Sequence, residues 1–368
     1  MGPPETPASS RGTKSMRTSE SAPTMSRTSS RVLAPDYRDS VLRPNGVVFE
    51  LSSKDLPDNV QASIYRCEQY LAKSSDQKMT VEQAMTLIDL FEHQNTSSET
   101  AFCTLLHAHN VFPSSSSYLG FSCVLDRIWF KDGLPRSDFP LAYLPITIPK
   151  PDCVYGYLST AFSVRQEAKA QSRLFMACGS LYWPFLVIEA KSQSMGTNTY
   201  QAANQCAGGG TVSVNAIVTL LDQLPSFTAE ADATQQVVVE ESRGGEKDPT
   251  ATGDLADTRV PSDPSSITLA GTGPTHGSSA DSSQLSAKYP EPVVFSLAVD
   301  SMTAALYVHW RSQDRSCFYL QRIAAYMMIR PEELIQLQTK VQEIIAWGMG
   351  PRLTAIKQAL DLWIEHEP

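Results

Sequence analysis

Hydrophobic residues recur at three- and four-residue intervals in two early stretches, 58–72 (Val60, Ile64, Tyr65) and 80–94 (Val81, Ala84, Met85, Ile88, Leu90, Phe91). This spacing predicts two amphipathic helices. A third is expected from about Ser98 to His109, with Ser97 or Ser98 as N-cap and Glu99 in the first turn. The pattern then changes. Asp152–Leu158 (DCVYGYL) and Pro184–Lys191 (PFLVIEAK) are short, apolar and β-prone, so each predicts a strand. Helical spacing returns over 199–224, interrupted at Gly208-Gly209-Gly210. Three more strands are expected over 293–302, 305–311 and 316–328, the last two joined by a polar turn at 312–315. Amphipathic helices over about 331–347 and 351–364 follow, the first opened by Pro331-Glu332-Glu333. Helices followed by mixed strands with flanking helices make an α/β domain with a central mixed sheet.

Two stretches fall outside this pattern. Residues 1–35 are Ser/Thr/Pro-rich with few aromatics and read as a disordered tail. Residues 228–290 are polar, acidic and aperiodic, too long for an ordinary loop, and read as a disordered insertion. The domain therefore runs over 36–227 and resumes over 291–368. The N-terminus lacks the apolar stretch of a secretion signal, and no apolar run is long enough to span a bilayer. Seven cysteines, odd in number and never spaced as CxxC, speak against a disulfide framework or a structural zinc site. They favour a reducing, intracellular setting, nuclear or cytoplasmic, and not a secreted one.

Charge bears on the choice of partner. The net charge is −9. Residues 1–46 carry +3 and residues 228–290 carry −6, which leaves the remaining residues mildly acidic. A protein that grips duplex DNA through many phosphate contacts is usually more basic.

The strand PFLVIEAK carries the chemistry. Alternation puts Phe185, Val187, Glu189 and Lys191 on one face and Leu186, Ile188 and Ala190 on the other. Apolar residues on both faces place the strand centrally, yet it ends in a carboxylate and an ammonium. Such groups are costly to bury unless paired or bound. If the strand opening at Pro151-Asp152 is its antiparallel neighbour, Asp152 lies beside Glu189 and Lys191. Two carboxylates and a lysine then form a hard-cation site suited to Mg or Mn.

Pro151-Asp152 followed by Glu189-Ala190-Lys191 matches the PD-(D/E)xK pattern. With its surroundings, KPDCVYGY, WPFLVIEAKS and QAANQCAGGGTVSVNA, the chain resembles the PD-(D/E)xK nuclease-like domain of fungal proteins, in the restriction-endonuclease-like superfamily. The resemblance spans roughly residues 40–225 and 290–365. It implies a restriction-endonuclease-like core and magnesium-dependent hydrolysis of DNA or RNA. Asp152 and Glu189 would be metal-binding acids, the Ala190 carbonyl and Glu99 further ligands, and Lys191 the catalytic lysine. Gln205 would be a catalytic-site glutamine, with Gln201 one turn earlier on the same face. The alternative is a catalytically inactive nuclease-fold protein that binds or scaffolds.

Plainer readings stand beside these. A Glu–Lys pair at a strand end is commonly a solvated ion pair. Glu99 also serves as a helix-dipole acid. The triple glycine lacks the strand before it and the GK[ST] ending of a phosphate cradle, so close packing or a helix break explains it better. His107 and His109 are two apart and cannot share a helix face, which speaks against a metal pair. Cys206, without a partnered histidine, reads as a small buried residue.

Overall fold

The computed structural model describes Gly2 and residues 29–71, 78–93, 98–113, 120–134, 144–179, 181–192, 198–224 and 289–366. Eight strands form one mixed sheet: β1 (Val47–Glu50), β2 (Phe121–Leu125), β3 (Cys153–Tyr157), β4 (Met176–Cys178), β5 (Leu181–Ala190), β6 (Val294–Val299), β7 (Thr303–Arg311) and β8 (Phe318–Met327). The order is β1-β8-β7-β6-β5-β3-β2, with β4 paired to β5 off this path. β5 runs parallel to β6, and β1 parallel to β8; the other pairs are antiparallel. The expected α/β class with a helix-flanked mixed sheet is what the chain adopts.

The helices are α1 (Ser29–Val32), α2 (Asp58–Leu71), α3 (Val81–His93), α4 (Glu99–Ala108), α5 (Val164–Ala170), α6 (Thr199–Leu221), α7 (Pro331–Trp347) and α8 (Leu353–Glu365). The three early helices and the two late ones lie where periodicity predicts them. Ser98 caps α4, its hydroxyl accepting from the Ala101 N–H at 3.1 Å. A wide helical turn, Gly348–Arg352, joins α7 to α8. Strands β1, β2 and β4 and helix α5 were not expected from the sequence. All are short, and β1 and β2 are half-exposed at the sheet edges, so they lack a long apolar alternation. The hairpin between β7 and β8 closes as expected, with the Ser312 N–H donating to the Cys317 carbonyl at 2.8 Å.

One large core joins Leu87, Phe102, Leu337, Val341 and Ile356 of the helices to Ile188, Leu297 and Leu306 of the sheet. The opposite face takes α6. Contrary to expectation, the glycines do not interrupt this helix, which runs unbroken for 23 residues. A Cβ on Gly209 would come within 2.9 Å of Val187, and one on Gly210 would collide with the His309 ring. The glycines let the helix lie directly on β5 and β7. His309 is itself fixed, its Nε2 2.7 Å from Ser296 Oγ. Burial pushes its pKa down to about 3, so the ring stays neutral.

Two further expectations need correction. Phe185 does not share a face with Glu189; it packs with Phe121, Tyr157 and Trp347 in the large core. The register shift between Tyr155 and Tyr157, opposite a left-handed Trp183 (φ 38°), breaks the alternation there. The tail also ends earlier than residue 35. Val32 is buried, and its carbonyl accepts from the Asn204 amide at 3.3 Å, while Arg38 lies between the rings of Phe49 and Tyr200. The rest of the expected tail, and most of the expected insertion, lie outside the described residues. Among the described residues, no helix is long and apolar enough to cross a membrane.

Candidate functional site

The register of β3 on β5 sets Cys153 opposite Ile188, which brings Asp152 to the end of β5 beside Glu189. The Ala190 N–H donates to Asp152 Oδ2 at 2.7 Å and locks this carboxylate to the strand end. The Asp152 and Glu189 carboxyl groups lie within hydrogen-bonding range of each other. The Lys191 ammonium stands 3.9 Å from Asp152 Oδ2 and 3.0 Å from Glu99 Oε1 on α4. Glu189 and Lys191 are 2% and 3% exposed. Asp152, Glu189, Lys191 and Glu99, spread over 93 positions, thus meet at one strand end.

A solvated surface pair would not show this electrostatics. Burial and the neighbouring Asp152 push the Glu189 carboxyl well above the usual carboxylate range. Burial likewise raises Asp152 to about 6, against the pull of Lys191 and the Ala190 N–H. Burial opposes the Lys191 ammonium, yet Glu189, Asp152 and Glu99 together hold its pKa above the ordinary lysine value. Among the described residues, Glu189 Oε2 is buried with no hydrogen-bond partner. A buried carboxylate oxygen without a partner calls for a proton, a water or an ion; Asp222, Glu291 and Glu343 also bury such an oxygen, but each of those carboxylates pairs with an Arg or Lys.

The remaining expected residues divide. The Ala190 carbonyl, expected as a metal ligand, accepts from the Lys191 ammonium at 2.8 Å. Glu99 reaches the cluster by pairing with Lys191. Gln205 sits on α6 with its amide oxygen buried; among the described residues no hydrogen bond ties that oxygen to the acids. Gln201 donates to the Leu33 carbonyl at 3.4 Å, so it helps dock the N-terminal segment. Sequence reasoning missed Cys103. It follows Glu99 by one turn on α4, and burial followed by the Asp152 and Glu189 charges raises its thiol pKa. The i, i+4 spacing from Glu99 was the available signal.

The described residues thus set an acid–lysine cluster at the end of β5 in a helix-flanked mixed sheet. The chain belongs to the family described as a domain of unknown function (DUF7924), whose pattern matches residues 65–239 and 280–360. The match contains Asp152, Glu189, Lys191 and Glu99 and breaks inside the acidic stretch. No curated protein and no solved structure matches the chain.

Proposed function

We propose that this protein is a magnesium- or manganese-dependent nuclease, a phosphodiesterase acting on DNA or RNA through a PD-(D/E)xK site on a restriction-endonuclease-like core. The observation that carries the reading is the convergence of Asp152, Glu189 and Lys191 at the end of β5, with one Glu189 oxygen left without a hydrogen-bond partner among the described residues. The donor set fits a hard cation: a buried and a half-buried carboxylate, both driven toward the protonated state, are what such an ion would relieve. Asp152 and Glu189 would hold it. When bound, the ion would supply Lewis-acid stabilisation of charge on a phosphate and a lowered pKa for water.

The other steps belong to the side chains. Lys191, charged across the neutral range, orients the attacking water and offsets negative charge growing on the phosphate. Glu99 holds the ammonium in position from α4. The Ala190 N–H fixes the Asp152 carboxylate, so a ligand oxygen need not reorganise during reaction.

A second reading is a nuclease-fold protein that binds a partner without cleaving. The net charge of −9 favours it, because nucleic acid is held by positive surfaces. Cleavage of single- and double-stranded DNA and RNA, with magnesium or manganese and beside Asp152→Ala, separates the two. Cleavage by wild type that is lost in the variant supports the enzyme. Absence of cleavage, together with no divalent-ion binding at millimolar concentration, leaves the binding reading in its place.

A further inference from the structure

A second cluster lies beside the first and uses different chemistry. Along α4, residues 99, 103 and 107 are spaced four apart and form one stripe. Glu99 begins it at the acidic site, and His107 ends it against the β2–β3 edge. There the Cys123 Sγ lies 3.9 Å from His107 Nε2 and 3.1 Å from the Cys153 Sγ. All three ligand atoms fall within 4.8 Å of one another.

The imidazole is oriented as a ligand would be. Its Nδ1 lies 2.7 Å from the Phe112 carbonyl oxygen. A carbonyl only accepts, so Nδ1 carries the hydrogen and Nε2 presents its lone pair toward the thiols. A ring held through one nitrogen by a carbonyl while the other faces sulfur is the usual arrangement of metal-binding histidines. We propose that His107, Cys123 and Cys153 form a binding site for a thiophilic divalent cation of the zinc class.

Distances allow it. With Zn–S near 2.3 Å and Zn–N near 2.0 Å, tetrahedral ligands stand roughly 3.8 Å apart for S···S and about 3.5 Å for S···N. The sulfurs here would separate by less than ~1 Å, and the imidazole would close by less than that toward Cys123 and by at most ~1.3 Å toward Cys153. Each thiol releases its proton to solvent as its sulfur–metal bond forms. The site supplies three protein ligands and leaves the fourth position to water. Cys123 and His107 are only partly buried, which gives an ion a route in. Occupancy would pin α4 to β2 and β3 next to Asp152, coupling this cation to the acidic site. A disulfide between the two cysteines would require the sulfurs to close to about 2.05 Å and leaves the oriented imidazole without a role.

The test uses the full chain, chemically reduced, stripped of metal and kept free of oxygen. Titration with Co²⁺ should give sulfur-to-cobalt charge-transfer absorption and strong tetrahedral ligand-field bands, saturating at one equivalent and displaced by Zn²⁺. Cys123→Ser should remove the charge-transfer signal or weaken cobalt affinity by at least ~10-fold, and His107→Gln should weaken it similarly. These two sites are partly exposed, so both variants can be checked for native circular dichroism even if the buried Cys153→Ser fails to fold. Asp152→Asn should leave the cobalt spectrum intact, which keeps this outcome separate from the nuclease reading. A thiolate–cobalt signal that survives Cys123→Ser and His107→Gln overturns the proposal. So does reduced wild type with no such signal, or protein isolated with Cys123 and Cys153 joined and still silent after reduction.

Discussion

Replacing Asp152 by Asn should make the metal-free protein more stable at neutral pH. The folded carboxyl titrates at about 6 against an ordinary value of 3.8. Between those values the folded chain keeps a proton that the unfolded chain has released, so wild-type stability falls as pH rises through this window. The rise is roughly two pH units, and at about 1.36 kcal/mol per unit it amounts to about 3 kcal/mol. Asparagine mimics the protonated acid and can still accept from the Ala190 N–H. Asp152→Asn should therefore gain about 3 kcal/mol at pH 7.5 in chelator, shrinking to nearly nothing below pH 4. Urea unfolding followed by fluorescence of the buried Trp183 and Trp347, repeated across pH, reads this directly. Magnesium should close most of this gap: wild type gains as the ion fills the site, by about 2.7 kcal/mol at a hundredfold excess over Kd, and the variant gains little. If Asp152 served mainly as a salt-bridge partner of Lys191, the variant would be less stable at pH 7.5. That result would refute the reasoning.

Four other outcomes are expected. If the proposed nuclease reading holds, Lys191→Ala should abolish cleavage yet leave magnesium binding by calorimetry largely in place, since the ammonium would serve water and phosphate; joint loss of both would place Lys191 in ion binding instead. Gly210→Ala should prevent folding or lower the melting temperature sharply, because the new Cβ meets the fixed His309 ring. Gly208→Ala, whose nearest neighbour would be Ile146 at 3.6 Å, should stabilise by up to about 1 kcal/mol through helix propensity. Deleting residues 240–279, which the family match skips, should leave the melting temperature unchanged; a large drop would mean that this stretch packs on the domain.

The acidic site was legible because its signal is local. Asp152 opens one apolar strand, and Glu189 and Lys191 close another, so an antiparallel pairing was enough to join them. Glu99 was legible only as a helix-start acid, and its pairing with Lys191 depends on how α4 packs. The edge strands were hidden because four or five half-buried residues carry too little periodicity. The glycines of α6 looked like a break because helix propensity is a weak force beside close packing on a sheet. The His107–Cys123–Cys153 set was invisible for a different reason. Its members come from one helix and two strands and show no motif spacing.

The passage from β5 through α6 to β6 has an engineering consequence. β5 delivers its last residues to the acids, and α6 then runs back for about 35 Å, judged from its 23 residues. Its far end is tied to the β7–β8 turn by the Asp222–Arg315 ion pair. β6 starts from that same end, since it runs parallel to β5. The chain therefore leaves the described core at Leu224 and rejoins it at Tyr289 on the side remote from Asp152 and Lys191. A fluorescent reporter or affinity handle attached next to Leu224 or Tyr289 would join the core at the end of the sheet remote from Asp152 and Lys191. It would report on the protein's whereabouts without crowding its chemistry.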